Sequence, residues 1–205
     1  MIISESTLKK AIDYKAYRET IDTLFKEGKV TGPEQNQDLL DYTKLNISRM
    51  NRVDKTSLIS DDMRETLSKI KSPLIWLVLA EGWCGDAAQI VPYFNTIALS
   101  SNNKIDLKFL FRDENLDLMD QFLTNGARSI PKLIIVDAAS KQVIGQWGPR
   151  PFEAQDLINK LKEQGIEMDN IKEKLHRWYA DNKSAALDKE LTDVLKEAIS
   201  DIIKA

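Results

Sequence analysis

The run Leu74-Ile-Trp-Leu-Val-Leu-Ala80 constrains the fold of this chain more than any other segment. It has no polar alternation, so as a strand it offers no face to water and must be covered on both sides. That requirement implies a layered α/β architecture. The run is also far shorter than the roughly 20 apolar residues a membrane-spanning helix needs. Its surroundings supply the other layers. Ile105, Leu107, Phe109 and Phe111 alternate as a second strand would. Leu133–Val136 and Val143–Trp147 read as two further short strands, and the polar stretch Ala138–Lys141 between them suits a hairpin. Residues 85–99 place Ile90, Val91, Phe94, Ile97 and Ala98 on or near one side of a helix. The order strand–helix–strand–helix–strand–strand–helix predicts a mixed central sheet with helices on both faces.

Helices precede and follow this unit. Leu8, Ile12, Ile21, Leu24 and Phe25 fall near one helical face, which Gly28 ends. Gly32-Pro33 opens a second helix with Pro33 at its first position, carrying Leu39, Thr43, Asn46, Met50 and Val53. Ser60 caps a third, with Met63, Leu67 and Ile70 along one side. Asp113 caps a helix that points Leu116, Met119, Phe122 and Leu123 inward and stops at Gly126. Leu157, Ile158 and Leu161 mark another, broken at Gly165, and a final helix carries Leu187, Leu191, Val194, Leu195, Ala198 and Ile202. The implied division is an N-terminal helical extension at 1–59, an α/β domain at 60–164 and a C-terminal helical extension at 165–205.

Composition narrows the function classes. With 29 basic and 32 acidic residues the net charge is −3, which gives no general attraction to nucleic acid or an anionic membrane. The opening Met1-Ile-Ile-Ser-Glu-Ser has no charged stretch followed by a long apolar one, so a cytoplasmic protein is expected. Cys84 is the only cysteine, which excludes an internal disulfide, and one cysteine with one histidine makes no closed zinc site. No metal or other cofactor is expected.

Cys84 nevertheless holds a privileged place, between the apolar strand and the helix that follows it. Unpaired N–H groups and the macrodipole at a helix start favour negative charge. Such settings lower a thiol pKa from about 8.5 towards roughly 3.5–7.5, and the thiolate is the nucleophile. The expectation is an exposed, partly ionised sulfur, opposed only by the neighbouring Asp86 carboxylate.

Trp83-Cys84-Gly85 resembles the start of the Trp-Cys-Gly-Pro-Cys motif of the thioredoxin-like family. Pro92 matches the proline that kinks that family's active-site helix. Gly126-Ala-Arg-Ser-Ile-Pro131-Lys-Leu is similar to the loop that holds the family's cis-proline. The longer string Glu81-Gly-Trp-Cys-Gly-Asp-Ala, with the lead-in Asp41-Tyr-Thr-Lys-Leu-Asn, is similar to a bacterial thioredoxin-like subgroup. The resemblance covers roughly Ser60–Gln164. It implies a thioredoxin-like α/β fold, with Cys84 as the catalytic residue and Trp83, Gly85, Asp86, Ile130 and Pro131 as the substrate-binding surface. Arg112 and Arg128 are the cations placed to stabilise a thiolate, or else solvated or paired with acids such as Asp113. Three departures matter: Ala87 replaces the second cysteine, Asp86 replaces the intervening proline, and Val78 stands where the family keeps a buried acid. An autonomous dithiol reductase is therefore not expected, because the second thiol is what expels the product.

Two functions remain open. One is a monothiol protein in redox homeostasis, forming mixed disulfides through Cys84 with a protein or low-molecular-weight thiol that an external thiol resolves. The other is a non-catalytic domain that binds extended peptides near Trp83 and Pro131. Glu81 reads as a proton acceptor or, more plainly, an exposed loop residue; His176 reads as a surface or helix-packing residue. Oligomeric state is left open.

Overall fold

The computed structural model describes residues 1–204, with side chains through Ser200. Strands β1 (Leu74–Ala80), β2 (Ile105–Phe111), β3 (Lys132–Asp137) and β4 (Val143–Trp147) form one sheet in the order β2-β1-β3-β4. β1 lies parallel to β2, with Leu74 beside Ile105 and Ala80 beside Phe111, and antiparallel to β3. β3 and β4 are an antiparallel hairpin whose register shifts between Ile135 and Val136. Every residue of β1 is buried. Because successive side chains leave opposite faces, both sides of the sheet are covered, as the apolar run demands.

The helices are α1 (Glu5–Lys10), α2 (Tyr14–Lys26), α3 (Gln37–Thr56), α4 (Asp61–Ser68), α5 (Gly85–Ser100), α6 (Leu116–Met119), α7 (Phe152–Glu163), α8 (Met168–Asn182) and α9 (Ala185–Lys204). Ser60 caps α4 as expected, its hydroxyl accepting the Met63 N–H at 3.1 Å. Elsewhere tertiary contacts overrule local pattern. The first helical face splits in two because Ile12 leaves the helix to bridge Phe109, exchanging N–H···O bonds of 2.9 and 2.7 Å. Pro33 does not open α3. The Gln35 side chain bonds both backbone groups of Val30 and the Gly32 carbonyl, and Asn36 caps the helix through the Leu39 N–H. A side-chain cap satisfies a donor that proline merely omits.

Asp113 likewise caps nothing. It lies inside a single 3₁₀ turn (Arg112–Glu114), and α6 lasts four residues. Met119 and Phe122 are buried while Leu123 turns outward. α8 falls within the expected C-terminal helical extension, although no apolar face had been assigned to it. The side chain of Ile202, expected on the inner face of α9, lies outside the described residues.

The terminal segments pack on the sheet directly. Tyr17 of α2 stacks on Phe109 at 4.7 Å between centroids, and Trp76 meets Phe94 of α5 edge-on at 5.8 Å. α9 crosses β4 at Gly145, where an added Cβ would sit 3.6 Å from Ala198. Trp147 donates to Glu190 at 2.9 Å, and the buried Tyr93 hydroxyl donates to Asp188. At the chain start, Ile2 bridges Gln142, and the Val143 N–H donates to the Met1 carbonyl at 2.9 Å. Among the described residues no helix is long and apolar enough to cross a membrane.

Candidate functional site

β1 ends at Ala80, and four residues later Cys84 caps α5 at the carboxyl edge of the parallel pair, where open α/β sheets place their sites. The Cys84 sulfur accepts the Ala87 N–H at 3.5 Å and donates to the Ile130 carbonyl at 3.3 Å. The residue is only 9% exposed. The expected exposed and partly ionised sulfur is therefore corrected. Burial, helped by the Asp86 charge, pushes the thiol pKa up to about 12, and the helix-start N–H groups and Arg150 only partly offset that rise. Desolvation of a charged form outweighs the dipole when water is excluded.

The positive end of α5 is already occupied by Asp86. One carboxylate oxygen takes the Arg150 Nε and Nη2 at 3.0 and 2.6 Å, and the other takes the Tyr179 hydroxyl at 2.7 Å. Arg150 thus holds the position for which Arg112 and Arg128 were candidates. The Arg112 guanidinium lies 5.0 Å from the Trp83 ring centre, pairs with Asp113 at 2.7 Å and donates to the Arg128 carbonyl at 3.2 Å. Arg128 pairs with the exposed Asp120. The cation that bears most on the thiol is Arg150.

Trp83 is half-buried. Its indole N–H donates to the Thr31 carbonyl at 3.2 Å, so the segment before α3 closes over it. The Ile130–Pro131 peptide is cis. Ile130 is buried with its carbonyl engaged by Cys84, and a Cβ on Gly148 would lie 2.3 Å from the Pro131 carbonyl oxygen. The backbone beside Pro131 is thus covered rather than free for an extended peptide.

Glu81 is not an exposed loop residue. It is fully buried, with Oε1 accepting the Asp113 N–H at 2.9 Å and Oε2 without a hydrogen-bond partner. Burial raises its pKa to about 7, partly offset by the Asp113 N–H.

What opens at this end is a cavity of about 460 Å³ bounded by α3, α5, α7 and α8, with Cys84, Gly85, Trp83 and His176 among its walls. That volume lies within the roughly 300–1,000 Å³ of small-ligand sites. His176, set aside by sequence reasoning, packs on the start of α5. A Cβ on Gly85 would lie 2.9 Å from its Nε2, and its Nδ1 is 3.2 Å from the Gln89 amide nitrogen. Burial, then the charges of Arg49 and Arg52, lower its pKa to about 4. Arg150, Tyr179 and Gln89 were also missed. The spacing of Ile171, Leu175 and Tyr179 is a helical signal that would have brought α8, and with it His176, to the site. Among the described residues no three His, Cys, Asp or Glu side chains are grouped to hold a metal ion.

Comparison with known proteins fits this geometry. No curated protein matches the sequence significantly. The chain is similar in structure to a protein of unknown function from Pseudomonas aeruginosa, with a TM-score of 0.55 at 18% identity over 99% of this chain and 96% of that one. It is also similar to an HIV epitope-scaffold, with a TM-score of 0.51 at 15% identity over 95% of this chain and 99% of that one. These likenesses speak to fold alone. The family model described as Thioredoxin matches residues 32–164, from the segment over Trp83 to the end of α7. With that match covering most of the chain, and a mixed four-stranded sheet feeding a helix capped by Cys84, this protein belongs to the thioredoxin family.

Proposed function

We propose that the chain uses the thioredoxin frame to bind a small ligand in the cavity beside Cys84, without catalysing dithiol reduction. This departs from the expected peptide groove at Pro131 and moves the binding surface to the side of α5 that faces α8. The observation that carries the reading is the state of the sulfur. Cys84 is buried, donates a hydrogen bond to the Ile130 carbonyl and has its pKa pushed up to about 12. At pH 7 such a group is thiolate in roughly one molecule in 10⁵. With Ala87 in place of a second thiol, nothing in the site drives a reductase cycle.

Monothiol exchange is the second reading, favoured by one observation: Cys84 is itself a wall of the cavity. A ligand disulfide seated there would be attacked by the Cys84 thiolate, releasing one half as a thiolate. An external thiol would then attack the mixed disulfide and return Cys84. Alkylation against pH separates the two. The binding reading expects slow reaction with iodoacetamide near pH 7, with a rate still rising above pH 10, and no turnover of a glutathione mixed disulfide. A thiol pKa at or below about 8.5, together with such turnover, replaces it with the exchange reading.

A further inference from the structure

The chain carries five methionines and one cysteine, and their sulfur atoms meet water very unequally. Met50, Met63 and Met119 are buried in the core, and Cys84 is buried with its sulfur bonded to the Ile130 carbonyl. Met168 is 51% exposed, and Met1 at the chain start is open to a similar extent.

Met168 is the first residue of α8. Its spacing of three and seven residues from Ile171 and Leu175 puts all three on one helical stripe. Ile171 and Leu175 are buried, and that stripe, with Leu39 of α3, walls the cavity beside Cys84. Met168 therefore belongs at once to the cavity wall and to the surface that water reaches. An unbranched thioether adapts its shape to an irregular apolar ligand. Its sulfoxide is polar and does so poorly.

The two sulfurs of the site answer an oxidant by different rules. A thiol reacts with peroxide as its thiolate, and Cys84, pushed up to about 12, offers almost none near pH 7. A thioether has no proton to lose, so access decides its rate. At this cavity the accessible sulfur is the methionine.

We propose that Met168, rather than Cys84, is the oxidant-responsive sulfur of this site: a hydroperoxide converts its thioether to the sulfoxide, and the new polar group on the wall weakens binding of an apolar ligand. A sulfur lone pair attacks the terminal peroxide oxygen, an S–O bond forms as the O–O bond breaks, and the proton of that oxygen passes to the departing one. Sulfur gives up two electrons, and the hydroperoxide leaves as water or an alcohol. Methionine sulfoxide reductase reverses the change. This rests on the cavity being a ligand site and adds its regulation by oxidation.

The test treats the full chain with hydrogen peroxide at pH 7, maps the modified residues by peptide mass spectrometry, and measures binding of 1-octanol and indole by calorimetry before and after. Met168 should oxidise at least about tenfold faster than Met50, Met63 and Met119, while Cys84 stays a free thiol. Affinity for the probes should fall at least about threefold and return after treatment with methionine sulfoxide reductase. A Met168→Leu variant should bind them as the unmodified chain does and keep that affinity through peroxide, although Met1 is still oxidised. Oxidation of Cys84 ahead of Met168 overturns the proposal. So does complete oxidation of Met168 with probe affinity unchanged, which leaves the cavity reading standing. Failure of both probes to bind the untreated chain removes the cavity reading and this regulation together.

Discussion

Cys84, Glu81 and His176 all carry protonation states set by burial, against what their places in the chain predict. A thiol at a helix start should ionise, a loop glutamate should be solvated, and a histidine outside the family's core should titrate normally. Instead the thiol stays neutral, Glu81 holds its proton to about pH 7 and His176 stays neutral down to about pH 4. The last two make opposite contributions to stability. Glu81 is raised above its ordinary 4.5, so its contribution is full below 4.5 and lost as pH climbs to about 7. His176 is depressed below its ordinary 6.5, so its contribution is full above 6.5 and lost as pH falls towards 4. Each slope amounts to at most about 3 kcal/mol, and between about pH 4.5 and 6.5 they oppose one another. Urea midpoints across that range should be nearly flat for the unmodified chain. They should rise with pH in Glu81→Gln and fall with pH in His176→Gln; slopes of the same sign in both variants would contradict the assignment. No local pattern revealed the Glu81 burial, because its cover comes from afar: Asp113 N–H bonds it, and Thr31 binds the neighbouring Gly82 and Trp83.

At the scale of elements, the sheet was legible and the helix boundaries less so. Leu74–Ala80 and Ile105–Phe111 follow hydrophobic periodicity, and their strands form at those residues. Ile12 looked helical by spacing, yet Phe109 claims its backbone across the fold, a contact invisible to any local window. The run after Asp113 had enough apolar residues for a longer helix, but the chain turns at Thr124–Ala127 with Asn125 and Gly126 at positive φ. The start of α5 was placed correctly within a residue, since the expected helix began at Gly85. That start can be probed directly. Ala87 stands three residues beyond the capping Cys84, and its N–H points at the sulfur. Ala87→Cys should close a disulfide with Cys84 under mild oxidation, seen as loss of both free thiols in the unfolded chain. Two persistent thiols would mean that the first turn holds these positions too far apart.

For the molecule as a whole, the C-terminal segment completes the site and the core, although the family match stops at 164. α8 brings His176 and Tyr179 to α5, while α9 buries Leu187, Leu191 and Leu195 and ties Asp188 to Tyr93 and to the Ser60 N–H that opens α4. Such a helix is not a detachable appendage. Leu195→Ala should cost about 2–5 kcal/mol, within the range for a fully buried leucine. It should do so as one cooperative urea transition, followed by both tryptophan fluorescence and far-ultraviolet circular dichroism. Two separated transitions would mark α8 and α9 as an independent unit.

The first dozen residues hold both rims of the sheet, Ile12 against β2 and the Met1–Ile3 segment against the turn into β4. Bare rims are templates on which neighbouring chains can zip together. This short leading strap covers part of each margin, and a chain clipped behind Ile3 is expected to self-associate more readily at high concentration, as sedimentation would report.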